Sequence, residues 1–437
     1  MKIFAFKSFI IPLQIFLFGF ALFGYGSISF LISGNNETRT VTIPYRIIVL
    51  LLSIIISFFH VYKLTVLSKK QYPVNIKESN VKNKKFSWIP KYILICFVLV
   101  YSFKLLEYTV YNTILTKPPE EYQMYWFAIC LIPAFSFLTV EYCQFQRYLL
   151  SSYFFVSLSC ILSAFGVDAS IAFIAGRLDR EGLSPISVSN DGTSLVLLSF
   201  FILTTNRNTF KNKHWIYFLC FFAIFLGSFM ALLGGSKGPI VSLSICLILN
   251  LIFAKYSHES FLDKKIIIVY ILLVTTIIAC ITITIDSPET QITLLKRFYT
   301  LFEGDRSTSG RIDLIDEAIS LIMGNPLFGH SIEVPGERYV HNLIIDSFLS
   351  TGIFGGLYFT VLYVYGIVKS IIILKNHYLQ WGWLGMIYIQ YSVSVMFSGS
   401  LYSQNIFWYL IFCLVALNID GNKEIRFYRS PYDQTSF

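Results

Sequence analysis

Charged residues are scarce in this sequence: they make up 14% of its 437 residues, whereas 55% are hydrophobic and 17% are aromatic. This balance excludes both a soluble globular protein and a disordered chain. The eight cysteines include no Cys-x-x-Cys spacing, and the six histidines form no His-Glu-x-x-His motif. We therefore expect neither a disulfide framework nor a metal ion.

The apolar residues are grouped in continuous runs of about 20 residues, the length that a helix needs to cross a hydrocarbon core. Continuous runs favour helices over a β-barrel, whose strands would alternate. We predict an all-α polytopic membrane protein of about twelve spans, with residues 1–437 forming a single integral membrane domain. The predicted spans are 9–33, 45–67, 91–115, 122–141, 148–174, 188–205, 215–233, 239–255, 266–285, 342–367, 379–397 and 403–418.

Positive charge is distributed unevenly between the segments that connect these spans. Loop 68–90 holds six lysines, and by the positive-inside rule it marks the cytoplasmic side. Both termini are therefore expected in the cytoplasm, and the long polar segment 286–341 is expected on the outer face. The net charge of +9 is explained by this cytoplasmic anchoring, so we expect no nucleic-acid partner.

Segment 286–341 contains two stretches with apolar residues at helical spacing, Thr293–Phe302 and Arg311–Met323. Both are predicted to be short amphipathic helices. The sequence Gly324-Asn325-Pro326 would end the second one. Amphipathic helices beside a bilayer tend to lie in its interface. The pair is compatible with a simple lid over the bundle and equally with a gate for an acceptor or a lipid.

Basic residues at the outer ends of two spans could bind phosphate oxygens. Arg177 and Arg180 lie three residues apart, and the guanidinium group suits bidentate contacts with phosphate. Ordinary snorkelling, with nearby acidic partners, is the competing interpretation. Lys237 lies in the glycine-rich turn 234–238, where glycines would let the backbone approach a ligand. This turn lacks the glycine spacing of a Walker A motif, and alone it would be a simple hairpin.

Two further candidates are among the four arginines of segment 286–341. Because acidic residues outnumber basic ones there, any anion site in this segment must be local rather than a broad basic field. Arg306 and Arg311 flank residues 307–310, so both could reach one spot. They complete the set of candidate anion-binding residues.

His341 ends segment 286–341 and precedes an apolar run. A neutral imidazole there could accept a proton from a hydroxyl group, and Asn342 could fix its ring. The competing interpretation is a structural histidine at the start of a helix. Within a span, Lys104 and Glu107 are three residues apart and could pair on one helix face, either for function or as a structural bridge.

Four short sequence strings, taken in order, resemble the O-antigen polymerase and ligase superfamily of bacterial inner-membrane proteins. The resemblance covers roughly residues 170 to 360. It rests on the strings 234–238, Arg311 through 325–330, 341–346 and 352–356. Lys237 stands where the family usually has arginine. The spacing from Arg177 to Gly192 is one residue shorter than the Arg-to-Gly spacing of some polymerases.

The resemblance implies a glycan substrate carried on undecaprenyl diphosphate at the outer face of the cytoplasmic membrane. The glycan would pass to a sugar hydroxyl, which lies on another lipid-linked repeat unit in a polymerase and on the lipopolysaccharide core in a ligase. Family arginines would hold the pyrophosphate, and His341 would activate the acceptor. A chain-length regulator and a flippase are implied as partners.

We therefore expect an oligosaccharide repeat unit polymerase, with an O-antigen ligase as the nearest alternative. A lipid-linked oligosaccharide flippase or other transporter is the alternative from another class. Transporters usually place polar residues at the bilayer midplane and show internal repeats, whereas here polar residues concentrate at the outer edge. Basic side chains can neutralise a diphosphate leaving group, so neither a metal nor another cofactor is expected.

Overall fold

The computed structural model describes residues 2–32, 38–68, 88–111, 115–165, 184–205, 214–257, 306–336 and 339–417. Every regular element in these ranges is helical. The N-terminal elements are α1 (Lys2–Phe23), α2 (Tyr25–Ile32), α3 (Thr38–Ser68), α4 (Ile89–Tyr111), α5 (Pro119–Gln123), a π-helix (Met124–Leu131), α6 (Ile132–Phe137), a 3-10 turn (Tyr142–Gln144) and α7 (Phe145–Phe165). They are followed by α8 (Pro185–Thr205), α9 (His214–Leu233), α10 (Lys237–Ser257), α11 (Arg306–Gly324), α12 (Leu343–Asn376), α13 (Tyr378–Ser394) and α14 (Asn405–Ala416).

Seven of the described helices contain a segment long and apolar enough to cross a membrane, namely α3, α4, α7, α8, α9, α10 and α12. Shorter apolar segments lie in α1 and α14. The fold class expected from the sequence, an all-α polytopic membrane protein, is confirmed. The number of spans stays a prediction, because the predicted span 266–285 lies outside the described residues, as do the predicted helix Thr293–Phe302 and most of loop 68–90.

The predicted span 122–141 is not one continuous α-helix. It is built from α5, the π-helix and α6 in direct succession. Pro133 is the second residue of α6 and has no N–H group to donate to a carbonyl oxygen of the preceding π-helical turn. The wider turns of the π-helix precede this proline. The sequence pattern located the apolar run and gave no signal of these changes in helix type.

The interior of the bundle is formed by α8, α13 and α14. Almost all of α13 is buried, including the large side chains of Trp381, Trp383 and Tyr388. This helix packs against α10 and α12, while α8 packs against α7 and α9. By contrast, α3 and α4 expose large apolar side chains such as Phe58 and Phe103. Such surfaces are expected to face lipid.

The predicted pair on α4 is confirmed. The Nζ atom of Lys104 lies 2.9 Å from Oε2 of Glu107, and the same Nζ lies 5.7 Å from the ring centroid of Phe328. The ion pair keeps both charges compensated near the end of an apolar helix. The cation–π contact also links α4 to the turn that follows α11.

Candidate active site

Helix α11 packs along the first turns of α12. Its apolar stripe buries Leu314 and Ala318 against Val334, Val340 and Leu349, whereas its acidic residues are exposed. The structure therefore confirms the second helix predicted in segment 286–341, with bounds Arg306–Gly324. Burying one leucine contributes on the order of 2 kcal/mol, so this small cluster helps to hold α11 beside residues 340–345.

The turn after α11 is hydrogen bonded to the middle of α12. The backbone N–H of His330 donates to the carbonyl oxygen of Leu349 at 2.7 Å, and that of Ile353 donates to the carbonyl oxygen of Pro326 at 2.8 Å. Residues 325–330 therefore dock onto a point where α12 is interrupted. Two of the strings that carried the family resemblance are thus in direct contact.

Glycine is required on both sides of this junction. Gly352 has φ 65° and ψ −162° within α12, a backbone region that is essentially restricted to glycine. A Cβ atom at this position would overlap the carbonyl group of Leu327. Gly329 also has a positive φ, of 80°, and a Cβ there would overlap the backbone of Ser350. The close backbone approach explains why this sequence places glycine at both positions.

Asn342 is the N-cap of α12. Its Oδ1 accepts hydrogen bonds from the backbone N–H groups of Ile344 at 3.1 Å and Ile345 at 3.2 Å. Two N–H groups that have no acceptor within the helix are satisfied in this way. The Asn342 oxygen therefore caps the helix. The ring of His341 contacts the ring of Tyr339, with 4.4 Å between the ring centroids and 57° between the ring planes.

His341 has an unusual backbone and an unusual ring environment. It is the one non-glycine residue with positive φ (62°) among the described residues, a conformation that costs energy and often marks functional sites. Its Nδ1 is buried and has no hydrogen-bond partner among the described residues. Burial, followed by the nearby positive charge of Arg311, lowers the pKa of His341 to about 4. The ring is therefore neutral at physiological pH, and Nδ1 can accept a hydrogen bond.

The structure brings Arg311 close to His341, and the convergence of the other predicted anion-binding residues stays a prediction. Arg311 is half-buried on α11. Arg306 begins the same helix, and five residues of α-helix turn by about 140° beyond one full revolution. Positions 306 and 311 therefore lie about 140° apart around α11, and the expectation that both side chains reach one spot stays a prediction. Arg177 and Arg180 lie outside the described residues.

Lys237 begins α10 directly after the predicted tight turn. Gly235 has φ 55°, and a Cβ atom at Gly234 would overlap Ser189 and Pro185 at the start of α8. The turn is therefore pressed against α8, as its two glycines permit. Lys237 itself is half-buried.

Two buried carboxylates form hydrogen bonds between segments that are distant in the sequence. Oε2 of Glu333 accepts a hydrogen bond of 2.6 Å from the hydroxyl of Thr116, and Oε1 accepts one of 3.3 Å from the hydroxyl of Tyr402. Asp346, one turn after the cap of α12, accepts a 2.8 Å bond from the backbone N–H of Leu401. Sequence reasoning did not single out either acid, although an aspartate inside an apolar run was an available signal.

A cavity of about 420 Å³, with polar and apolar lining residues, opens beside Tyr339. Its lining includes Arg46, Asn190, Asp191 and Gln404, together with Tyr339, the ring neighbour of His341. Sequence reasoning also missed Arg46, which lies inside the predicted span 45–67. Among the described residues, no group of three or more His, Cys, Asp or Glu side chains could hold a metal ion.

Residues 222–360 match the family model described as O-antigen ligase. The matched range contains Lys237, Arg306, Arg311, His341 and Asn342. No curated protein matches the chain. The match supports a relationship of this helical membrane protein to the O-antigen ligase superfamily. It also supports lipid-linked glycan transfer in general.

Proposed function

We propose that this protein transfers an oligosaccharide from an undecaprenyl diphosphate carrier to the sugar hydroxyl of another lipid-linked repeat unit, as a repeat unit polymerase. The observation that carries the proposal is His341: its ring is neutral, its Nδ1 has no described partner, and it lies beside Arg311 within the matched range. The reaction would occur at the outer face of the cytoplasmic membrane, with both termini inside.

In the proposed reaction, the acceptor hydroxyl oxygen forms a bond to the anomeric carbon of the donor sugar. The bond from that carbon to the diphosphate oxygen breaks, and its electron pair leaves with the diphosphate. The hydroxyl donates a hydrogen bond to His341 and transfers its proton as the new bond forms. A base whose pKa is about 4 is weak, which suffices because the hydroxyl becomes acidic only in the transition state.

Basic side chains would stabilise the departing diphosphate. Arg311 is the described cation beside His341, and Lys237 is a second candidate at the start of α10. Arg177, Arg180 and Arg306 complete the proposed set. Fixed cations directed at a leaving group in a site shielded from water can replace a metal ion. Donor and acceptor would both be membrane-anchored lipids, and a chain-length regulator and a flippase would be partners by resemblance.

A ligase that transfers the glycan to the lipopolysaccharide core is the second candidate, and the description of the matched family favours it. Deletion of the gene distinguishes the two. Loss of polymer with a single repeat unit retained on the core is the polymerase result. Complete loss of glycan from the core is the ligase result.

Glycan transfer itself is tested with purified protein in detergent, where the two sides of a membrane no longer exist. We expect lipid-linked oligosaccharides to become longer. A transporter would be inactive in detergent and would move the lipid only in liposomes, and that outcome would refute both glycan-transfer proposals.

A further inference from the structure

Helix α11 carries more apolar surface than its contact with α12 covers. Successive residues of an α-helix lie about 100° apart around its axis. By this geometry the apolar residues from Ile312 to Met323 occupy an arc of about 200°. The remaining arc of this range holds polar residues that are all exposed, namely Asp313, Asp316, Glu317 and Ser320. The apolar arc is therefore wide enough to contact a second partner besides α12.

One edge of the apolar arc is buried and the other is exposed. Leu314 and Ala318 are buried against α12 and the segments beside it. About 140° further around the helix, the residues Ile312, Ile319 and Met323 are exposed by 53%, 46% and 73%. We call these three residues the open edge of α11. Exposed apolar patches rimmed by polar residues typically mark contacts with other proteins or with membranes, so the open edge calls for an apolar partner.

The turn after α11 continues this surface. Leu327 and Phe328 are both more than half exposed. The Nζ atom of Lys104 on α4 lies 5.7 Å from the ring centroid of Phe328, and the backbone N–H of Ile353 on α12 donates to the carbonyl oxygen of Pro326. The turn is thus fixed beside α4 and α12, and both of these helices contain a segment long and apolar enough to cross a membrane.

Both helices expose apolar side chains near these contacts. The exposed residues are Leu106 and Val110 on α4 and Ile353, Phe354 and Leu357 on α12. Such surfaces of membrane-crossing helices are expected to face lipid. The turn extends this surface to the open edge through Met323, which lies four residues before Leu327. This continuity favours lipid over a protein as the partner of the open edge.

The charges of α11 indicate which part of the lipid it contacts. In the range 312–323 the polar arc holds three acids and no base, so anionic headgroups would not attract it. A helix that lies along a membrane surface directs its apolar face towards the acyl chains and its polar face towards water. The contact is therefore expected to depend on apolar burial and not on the charge of the headgroups.

We propose that the open edge of α11, together with Leu327 and Phe328, is embedded in the lipid leaflet on the side of His341, at the boundary between headgroups and acyl chains. Helix α11 is then held from two sides, by α12 and by lipid, while its acidic arc faces water. Because Arg311 lies on this helix close to His341, the lipid contact also helps to fix the position of the Arg311 charge. The inference rests on the helical membrane fold and not on the proposed glycan transfer, so its test needs no transfer assay.

The test compares Ile319 with Ser320. They are adjacent and both exposed, but Ile319 lies on the open edge and Ser320 on the polar arc. The photoreactive residue p-benzoylphenylalanine replaces one or the other in the full-length protein, which is irradiated in phosphatidylethanolamine liposomes with and without phosphatidylglycerol. We expect a covalent lipid adduct, identified by intact mass, at Ile319 and its loss at Ser320. The adduct yield at Ile319 should be the same in both kinds of liposome.

A second pair of positions protects the test against a variant that fails to fold. Met323 repeats the measurement on the open edge, and Asp313 repeats the control on the polar arc. Absence of a lipid adduct on the open edge, or equal adducts on both arcs, would overturn the proposal. A product of twice the chain mass would overturn it in favour of a second copy of the chain. An adduct with another protein in native membranes, in place of lipid, would overturn it in favour of a protein partner.

Discussion

Replacing Gly352 with alanine should release the turn after α11 from α12. The alanine would have to adopt φ 65° and ψ −162°, which costs about 1–3 kcal/mol. Its Cβ would also overlap the carbonyl of Leu327, so the backbone hydrogen bonds that close this junction would be strained or broken. Each such bond contributes about 0.5–1.5 kcal/mol. The total cost is therefore about 2–6 kcal/mol if two bonds are lost.

Gly310→Ala is the matched control. Gly310 lies within α11, and a Cβ there would meet no atom within 4 Å. The same chemical change should therefore stabilise the helix by about 0.5–1 kcal/mol. Thermal unfolding in detergent should move in opposite directions for the two variants, and limited proteolysis near residues 325–336 should become faster only in Gly352→Ala.

Glycan transfer should decrease in Gly352→Ala because the docking of α11 beside His341 depends on the same junction. Equal melting temperatures, equal proteolysis rates and wild-type transfer in both variants would show that the junction does not hold α11, and the reasoning would be refuted.

Four further predictions concern the candidate site. His341→Gln and His341→Ala should both lose transfer while donor binding persists, and full activity in the Gln variant would eliminate the base role. Because the pKa of His341 is lowered to about 4, its neutral form and hence activity should persist as the pH falls towards that value. Arg311→Met removes a positive charge that lowers this pKa, so it should move the acidic limit of the pH–rate profile to higher pH. An unchanged profile would contradict the electrostatic effect of Arg311 on His341. Asn342→Ala should destabilise the start of α12 by about 1 kcal/mol in thermal unfolding, and Asn342→Ser should restore most of it. Arg177→Ala and Lys237→Ala should each reduce transfer by roughly 10- to 150-fold if they bind the pyrophosphate, and wild-type rates in both well-expressed variants would show that this anion site is misplaced.

The helical architecture could be predicted from sequence because its cause is local. Apolar runs of about 20 residues determine where helices cross a bilayer. The buried face of α11 was predicted less well: the sequence favours a stripe of Ile312, Ile315, Ile319 and Ile322, whereas the structure exposes Ile312 and Ile319. The residues of α11 whose side chains are buried are Leu314 and Ala318. The pairing of Lys104 with Glu107 was also accessible, because residues three apart are neighbours on one helix.

The polar contacts around the site could not be predicted because they join distant parts of the chain. Thr116 and Glu333 are separated by 217 positions, and no periodicity in the sequence links them. The cavity is likewise made by several helices, so Arg46 looked like an ordinary charge near the end of a span. The break at Gly352 was hidden inside an apolar run, where a glycine gives no indication of its φ angle.

The length of α12 has a consequence for the depth of the candidate site. The helix contains 34 residues, and its part after Gly352, residues 353–376, extends about 36 Å at 1.5 Å per residue. That part already exceeds a hydrocarbon core of about 30 Å. The two and a half turns before Gly352 are therefore left for the headgroup layer, and they carry the buried Asp346 and the capped start beside His341. In this register the ring of His341 would lie at the level of the headgroups, where the diphosphate of the proposed lipid-linked donor would also lie.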